Sequence, residues 1–248
     1  MSSTTDYLLA IEDLTVSFDG FRAVDQLNLY LDQDELRVII GPNGAGKTTV
    51  LDLICGKTKA TAGSIKFRNR ELVGLAEHQI VRAGIGRKFQ TPSIYENLTV
   101  FENLEISFPR GRNVLGCLTF RRTADVTEQI HKVAEEIYLS EFLDMEGAFL
   151  SHGQKQWLEI GMLLMQEPEL LMLDEPVAGM SPAEREKTAK LLQRICKGRS
   201  IIIIEHDMEF VSRIAHRVTV LHLGKILTEG TMEEIQSNPK VQEVYLGH

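Results

Sequence analysis

A glycine-rich stretch at residues 41–48, Gly-Pro-Asn-Gly-Ala-Gly-Lys-Thr, has the residue types and spacing of a phosphate-binding loop. It matches the pattern G-x-x-x-x-G-K-[ST], follows a short apolar run and precedes a segment typical of a helix. Glycines let the chain fold so that successive N–H groups, from Gly44 to Thr49, point at phosphate oxygens. The start of the following helix adds its positive dipole end.

Within this stretch, Lys47 supplies a positive charge for β- and γ-phosphates, and the Thr48 hydroxyl is placed to ligate Mg²⁺. An ordinary glycine-rich turn is the alternative, but the match at every fixed position in the right context favours a nucleotide site. The predicted nucleotide-binding residues are Gly41, Pro42, Asn43, Gly44, Ala45, Gly46, Lys47, Thr48 and Thr49.

Two adjacent carboxylates, Asp174 and Glu175, follow the apolar run Leu-Leu-Met-Leu. Ligands of open α/β sheets bind at the carboxyl ends of the strands, so this pair is predicted to lie beside the phosphates. Asp174 would belong to the Mg²⁺ shell, and Glu175 would orient or deprotonate an attacking water. His206 follows a run of four isoleucines and a glutamate, and a contact with the γ-phosphate is favoured over an ordinary surface or core role.

The stretch Leu-Ser-His-Gly-Gln at residues 150–154 reads as the start of a helix. Ser151 and Gln154 have the spacing of a capping box, and Gly153 leaves the backbone uncovered at the tip. Free N–H donors and a hydroxyl at the start of a helix can form an anion-binding site, which would be the second in this chain. The alternative is an ordinary capped helix. Because the chain already has one phosphate loop, this turn is predicted to serve a nucleotide held by another subunit.

The elements that position these residues alternate between strands and helices. Residues 36–40, 170–174 and 201–205 are predicted buried strands, and residues 63–67 are a predicted half-exposed strand. Helices are predicted over 48–55 and over 182–197. In the second helix, Ser181 is the N-cap, Pro182 is the first helical residue and Glu184 completes a capping box; Gly198 ends the helix. Apolar residues at 126, 130, 133 and 137 mark an amphipathic helix. The pattern is that of an α/β protein with a parallel sheet covered by helices.

Composition excludes several functional classes. The chain has 248 residues, 43% of them hydrophobic, and a formal net charge of −8, which argues against a nucleic-acid partner. It contains no apolar run of ~18 residues and no signal-peptide pattern. Its cysteines, Cys55, Cys117 and Cys196, are widely spaced, which indicates neither disulfides nor a zinc site. We therefore expect a soluble, cytoplasmic protein.

The ordered motifs closely resemble those of the ATP-binding-cassette (ABC) ATPases, from about Tyr7 to Gly247. That resemblance identifies residues 41–48 as Walker A, Gln90 as the Q-loop glutamine, residues 150–154 as the signature, and His206 as the switch histidine. It identifies Asp174 and Glu175 as the end of Walker B. A D-loop follows at Ala178, Gly179, Met180 and Ser181. Phe18 best matches the aromatic that stacks on adenine, with Phe21 as its competitor; either could also be core.

The resemblance implies a P-loop NTPase fold: a RecA-like core, a small N-terminal antiparallel β subdomain and an inserted helical subdomain. We expect a single ABC ATPase domain over residues 1–248, with the core at about 7–90 and 158–232, the helical part at about 91–157 and a tail at 233–248. ATP and Mg²⁺ are the implied ligands. The implied metal-binding residues are Thr48, Gln90 and Asp174, with Gln90 also sensing the phosphate; the implied signature contacts to a partner's ATP come from Ser151, His152, Gly153 and Gln154.

By the same resemblance, two such domains, identical or related, pack head to tail and dock on a membrane-spanning permease at the inner face of the plasma membrane. A periplasmic binding protein would take part indirectly. The segments Glu-Pro-Val-Ala-Gly-Met-Ser-Pro and Asn-Pro-Lys-Val-Gln-Glu-Val-Tyr-Leu-Gly are similar to the branched-chain amino-acid and urea importer group. Two longer stretches, residues 86–107 and 150–180, most resemble the D-type ATP-binding subunit of urea transporters, so urea is the expected substrate. The alternatives are a branched-chain amino-acid importer, a lipopolysaccharide exporter, a non-transport ABC ATPase and a non-catalytic nucleotide-binding regulator.

One residue departs from the family pattern. His152 stands where most members carry glycine, and glycine is required only where φ is positive or the backbone is closely approached. We predict right-handed backbone angles at His152, with its imidazole turned away from the phosphates.

Overall fold

The structure, a computed structural model, describes residues 7–88, 93–109 and 122–246. The strands are β1 (Leu9–Phe18), β2 (Phe21–Leu31), β3 (Leu36–Ile40), β4 (Ala62–Phe67), β5 (Arg70–Glu71), β6 (Ile85–Lys88), β7 (Leu170–Asp174), β8 (Ser200–Ile204), β9 (Arg217–His222) and β10 (Lys225–Gly230). The helices are α1 (Lys47–Ile54), α2 (Glu77–Arg82), α3 (Val100–Ser107), α4 (Ala124–Glu136), α5 (His152–Leu164), α6 (Pro182–Ile195), α7 (Met208–Ile214), α8 (Met232–Ser237) and α9 (Pro239–Leu246), with 3₁₀ turns at Ser140–Phe142 and Gly147–Phe149.

A six-stranded sheet in the order β10-β9-β3-β8-β7-β6 forms the centre of the fold. Its strands from β9 to β6 are parallel, and only β10 pairs antiparallel, on β9. The predicted strands at 36–40 and 170–174 have the predicted bounds, whereas β8 begins at Ser200 and ends at Ile204. Glu205, placed in that strand by the sequence pattern, therefore lies in the loop beyond it.

Both faces of this sheet are covered, which explains why its strands are continuous apolar runs. Along β7, Leu171 and Leu173 face a cluster shared with α3 to α6, while Leu170 and Met172 face the opposite cluster, which contains α1. The alternation follows from the two-residue period of a strand. The predicted α/β class is confirmed.

Arg37 is a charged exception within β3 and is fully buried. Its guanidinium forms ion pairs with Glu35 and Glu229, both at 2.6 Å, and donates to Thr219 Oγ1 and the Tyr30 carbonyl oxygen. These partners compensate the desolvation of the charge and tie β3 to β2, β9 and β10.

The smaller sheet, in the order β2-β1-β4-β5, is antiparallel and packs over α1. Its hairpin turns at Asp19 and Gly20, whose φ values are 48° and 88°. Two left-handed residues with the sequence Asp-Gly are typical of a two-residue hairpin turn. This sheet is the N-terminal antiparallel element that the family resemblance implied.

The predicted helices are present with small shifts at their ends. Helix α1 runs from Lys47 to Ile54, and α6 starts after Ser181 with the predicted capping box from Glu184. Helix α6 ends at Ile195, earlier than predicted, and Gly198 lies just beyond its cap. Helix α4 buries the predicted apolar stripe.

The boundary expected near residue 157 lies inside α5, which continues unbroken to Leu164. A single hydrophobic cluster joins α3, α4 and α5 to one face of the central sheet. The division into core and helical subdomain therefore stays a prediction. In the described part of the chain, none of the helices is long and apolar enough to cross a membrane.

Candidate functional site

Four neighbouring parallel strands bring the chemically active residues to one edge of the central sheet. Strand β3 leads into residues 41–48, β7 ends at Asp174, β8 is followed by residues 205–206, and β6 ends at Lys88. The register pairs of these strands are parallel, so their carboxyl ends lie together. This edge is where open α/β sheets bind their ligands.

The backbone of the first loop requires glycine at two close approaches. Gly41 and Gly46 have φ values of 155° and 100°. A Cβ on Gly41 would overlap the Leu221 carbonyl oxygen, and one on Gly46 would lie 2.5 Å from the Ala23 carbonyl oxygen. Helix α1 begins directly after Gly46, so its unpaired N–H groups face the loop.

Lys47 lies over the loop that precedes it. Its Nζ donates to the carbonyl oxygens of Gly41 (2.7 Å) and Pro42 (3.0 Å). Burial lowers the pKa of the Lys47 amino group, while the negative charges of Glu175 and Asp174 act in the opposite direction. The arrangement holds an ammonium group at the mouth of the loop, where it can contact an anion.

Asp174 and Thr48 form the oxygen pair expected for a divalent cation. Thr48 Oγ1 donates to Asp174 Oδ2 at 3.2 Å, although the two residues come from different elements. Desolvation raises the pKa of the buried Asp174 carboxyl, and the Thr48 hydrogen bond partly opposes that rise. Among the described residues, no group of three or more His, Cys, Asp or Glu side chains could hold a metal ion. A hydroxyl and a carboxylate instead suit Mg²⁺, which commonly completes its shell with substrate phosphates and water.

Glu175 has an unusual backbone. Its φ is 47°, a left-handed conformation that costs a non-glycine residue on the order of 1–3 kcal/mol. Its N–H donates to the Ile204 carbonyl oxygen, and its Oε1 lies 3.5 Å from His206 Nδ1. The His206 side chain is 68% exposed. The structure thus places the two predicted catalytic residues together, with the histidine open to the solvent side.

Glu205 is a residue that the sequence prediction missed. Its buried carboxylate accepts hydrogen bonds from the backbone N–H groups of His206 (3.0 Å), Asp207 (3.4 Å) and Val177 (3.4 Å). Burial raises the pKa of Glu205, and these hydrogen bonds act against that rise. The carboxylate therefore ties the loop after β7 to the loop after β8, and its position after four isoleucines could have marked it as a strand-end residue.

Phe18 and Phe21 form the end of the β1–β2 hairpin and are register partners. They are 50% and 64% exposed. The nearby Ala23 carbonyl oxygen approaches Gly46, which places this hairpin beside the phosphate loop. Both phenylalanines are available for stacking on a base, and the choice between them stays a prediction.

The Leu-Ser-His-Gly-Gln turn has the predicted capping geometry. Ser151 Oγ accepts from the Gln154 N–H at 3.2 Å, and Gln154 Oε1 accepts from the Ser151 N–H at 2.8 Å. Ser151 Oγ also donates to Glu184 Oε1 at 3.3 Å, which joins this turn to the start of α6. A Cβ on Gly153 would lie 2.6 Å from Glu184 Cδ, so the glycine allows this close contact.

His152 is the first residue of α5 and is not among the residues with positive φ. The predicted right-handed backbone is confirmed. Its Nε2 lies 3.0 Å from the Ala178 carbonyl oxygen, to which it can donate. In the same D-loop segment, Gly179 has a φ of 74° and Met180 is buried. The signature turn and the D-loop of one chain are thus in contact, whereas Gln90 lies outside the described residues.

These features define a class. The site combines a strand, a glycine loop with lysine and threonine, and a helix. An acidic pair lies next to them, at the end of a neighbouring parallel strand. This arrangement is the site of a P-loop nucleoside-triphosphatase.

Comparison with known proteins identifies the family within that class. Residues 24–178 match the family model of the ABC transporter, and residues 225–248 match that of the branched-chain amino acid ATP-binding cassette transporter. The chain belongs to the ABC transporter family of ATP-binding proteins, and it is an ATPase.

Similar proteins cover almost the whole chain. The high-affinity branched-chain amino acid transport ATP-binding protein BraF of Pseudomonas aeruginosa is 36% identical over 97% of this chain and 98% of its own length. The protein LivG of Salmonella typhimurium, with the same description, is 37% identical over the same shares. A nucleotide-free ATP-binding cassette from an ABC transporter superposes with a TM-score of 0.86 at 31% identity, covering 98% of this chain and 100% of that one. The ADP conformation of such a cassette gives 0.86 at 32% identity, with the same coverage.

Proposed function

We propose that this chain is the ATP-hydrolysing subunit of an importer for branched-chain amino acids. The observation that carries the proposal is the match of residues 225–248 to the model of branched-chain amino acid cassettes. In the structure these residues include β10, α8 and α9, outside the nucleotide motifs. The match is therefore independent of the motifs that every ABC ATPase shares. The named relatives, which extend over nearly the whole chain, support the same substrate class.

The expectation of urea as the substrate gains no support from these comparisons. Its basis was a likeness in stretches that surround the nucleotide motifs. Those stretches contain nucleotide motifs that members of the family share whatever they transport, so a likeness there is a weak guide to the substrate. The alternative named beside urea, the branched-chain amino-acid importer, is the better-supported proposal.

Hydrolysis in this proposal is an in-line attack by a water on the γ-phosphate. Glu175 Oε1 lies 3.5 Å from His206 Nδ1, so the two side chains can hold that water and the phosphate oxygens from one side. The loop N–H groups and Lys47 bind the phosphates from the other side. The left-handed backbone of Glu175 directs its side chain from the strand end, and this strain is common at functional sites.

Mg²⁺ fits the pair formed by Thr48 and Asp174. The Thr48 hydroxyl oxygen and the Asp174 carboxylate oxygen are 3.2 Å apart, and hard cations such as Mg²⁺ prefer oxygen ligands of this kind. When bound, the ion would neutralise negative charge on the phosphates. Gln90 is proposed as a further ligand from the family resemblance alone.

A second chain would complete the site. The Ser151 hydroxyl and the start of α5 form a helix N-terminus, and His152 and Glu184 join that turn to the D-loop and α6. In the proposed head-to-tail pair, this turn contacts ATP held by the partner's first loop. The partner is a second copy or a related ATPase. The pair would dock on permease subunits at the inner face of the plasma membrane, with a periplasmic binding protein delivering the substrate.

Uptake of labelled leucine and labelled urea by a strain lacking the gene tests the substrate. We expect leucine uptake to fall and to be restored by the wild-type gene, and urea uptake to stay unchanged. A gene encoding Glu175→Gln is the matched control, because the variant keeps the fold and the ATP site but not turnover. Loss of urea uptake with normal leucine uptake would reverse the assignment.

A further inference from the structure

A cleft of about 460 Å³ lies between α4, the end of α5 and the start of β8. Its volume is within the range of sites that bind small molecules. Helix α4 lines it with residues that are three or four positions apart and so share one face of the helix. The other side is formed by Leu164, the last residue of α5, and by Arg199, which directly precedes β8. Among the described residues that line this α4–α5 cleft, none is assigned to ATP hydrolysis.

Three kinds of group line the α4–α5 cleft. Val133 and Leu164, which are 6% and 3% exposed, are the apolar and nearly buried part of the lining. Two cationic side chains, Lys132 and Arg199, also line it. The carboxylates outnumber them and are Asp125, Glu128, Glu136 and Glu167. The cleft therefore presents apolar, cationic and anionic groups within one small volume, with an excess of negative charge.

The guanidinium of Arg199 lacks a full set of partners. Its Nη1 is shielded from solvent and has no hydrogen-bond partner among the described residues. A buried donor without an acceptor is unfavourable, and more so when the donor is charged. A carboxylate bound in the cleft would supply an acceptor, in the two-bond geometry that guanidinium groups favour. Because Nη1 has no hydrogen bond to break, rotation of the guanidinium is enough to present it to such a ligand.

Simple ions and purely apolar molecules suit this lining poorly. An anion would meet the excess of carboxylates, and a cation would leave Arg199 Nη1 without an acceptor. An apolar molecule would use neither kind of charge. A zwitterion with an aliphatic group uses all three parts of the lining. Its carboxylate would meet Arg199, its ammonium group would meet the carboxylates of the cleft, and its aliphatic group would cover Val133 and Leu164.

We propose that the α4–α5 cleft binds a free aliphatic α-amino acid. The chemistry of the lining carries this inference, which rests on the proposed function only for the source of the ligand: there, a molecule of this class is imported and released beside the subunit. The bound amino acid would contact α4, the end of the helix that begins at the signature turn, and the residue before the strand that leads to His206. The product of import would thus bind the subunit that drives import.

Isothermal titration calorimetry of the whole chain without nucleotide measures the affinity. L-leucine should bind with a Kd of about 1 mM or lower, which a ligand of its size can reach. Glycine lacks the aliphatic group, and 4-methylpentanoate lacks the ammonium group. Each of them should bind at least ~10-fold more weakly than L-leucine, because each loses one of the three sets of contacts.

Arg199→Gln tests the contact with the ligand's carboxylate. The Kd for L-leucine should rise at least ~10-fold, because a hydrogen bond between charged groups is lost. The wild-type preference for L-leucine over L-leucinamide, which has no carboxylate, should disappear in this variant. Lys197→Gln is the matched control, since Lys197 is an exposed cation two positions from Arg199 and is not among the residues that line the cleft. It should bind L-leucine as the wild type does.

Three results would overturn this inference: no saturable binding up to ~10 mM L-leucine, equal affinities for L-leucine and glycine, or wild-type affinity in Arg199→Gln. Should Arg199→Gln not fold, the wild type decides, because equal affinities for L-leucine and L-leucinamide refute the inference and a preference for L-leucine supports it. The uptake assay tests the proposed function separately. Binding in the cleft without any effect of the gene on leucine uptake would refute the proposed function and leave the site in place.

Discussion

The contact between Gly153 and Glu184 allows a quantitative test of how the signature turn is held. Replacing Gly153 with alanine would place a Cβ 2.6 Å from Glu184 Cδ and closer still to Oε1. The carboxylate is the end of a flexible side chain, so it will move. It will then lose its bonds from Ser151 Oγ, Ser181 N–H and Ser181 Oγ.

The expected energies come from two opposing effects. Alanine in place of glycine stabilises a helix by up to about 1 kcal/mol. Loss of the hydrogen bonds that Ser151 and Ser181 donate to the Glu184 carboxylate costs on the order of 1 kcal/mol or more. In the wild-type background Gly153→Ala should therefore leave stability unchanged or lower it. In a Glu184→Ala background, where the obstacle is gone, the same substitution should raise stability by up to about 1 kcal/mol.

Thermal unfolding monitored by circular dichroism measures this cycle. A change of 1 kcal/mol corresponds to about 2–4 °C in Tm for a chain of this size. We expect the double variant to unfold above Glu184→Ala by about that amount, with Gly153→Ala at or below the wild type. Equal effects of Gly153→Ala in both backgrounds, within about 0.5 kcal/mol, would show that the contact carries no energy and refute this reasoning.

Three further predictions concern the catalytic edge. Glu175→Gln should bind ATP as the wild type does while its kcat falls at least ~100-fold, since general-base groups contribute factors of this size; normal turnover in a steady-state assay would exclude Glu175 as the base. Lys47→Ala should raise the Kd for ATP at least ~10-fold, because a hydrogen bond to a charged group contributes about 1.5–3 kcal/mol, and a titration with unchanged Kd would contradict the loop assignment. Because burial raises the pKa of Asp174, its ionised form opposes folding, so Asp174→Asn should raise the Tm of the nucleotide-free protein at pH 8. The difference in Tm between Asp174→Asn and the wild type should shrink as the pH falls through the raised pKa of Asp174 towards the pKa of an ordinary aspartate, because the wild-type carboxyl then becomes neutral as well. A difference in Tm that grows on acidification would contradict this prediction.

The first loop could be predicted from sequence because its glycines encode backbone angles. Gly41 and Gly46 stand where other residues would collide with neighbouring carbonyl oxygens. The helix starts at Ser151 and Ser181 could also be predicted from the sequence, because a capping box involves only two residues that are three positions apart. The Asp19–Gly20 pair is also a local hairpin signal, although no turn was predicted there.

Long-range polar contacts could not be predicted in this way. Nothing in the sequence indicates that Lys88 meets Glu159, or that Arg37 in an apolar strand meets Glu229, because these partners become neighbours only through the order of strands in the sheet. The left-handed backbone at Glu175 is also set by the surrounding fold. The substrate could not be predicted from the nucleotide motifs, since members of the family share them whatever they transport; the proposal of branched-chain amino acids rests on the match of residues 225–248.

The most direct test of the account is the structure, determined with ATP and Mg²⁺, of Glu175→Gln together with its ATPase partner. We predict a head-to-tail pair in which Ser151 Oγ lies within hydrogen-bonding distance of the γ-phosphate held by the partner's first loop. A strictly monomeric ATP-bound chain, or a pair in which the Leu150–Gln154 turn lies far from any nucleotide, would contradict it.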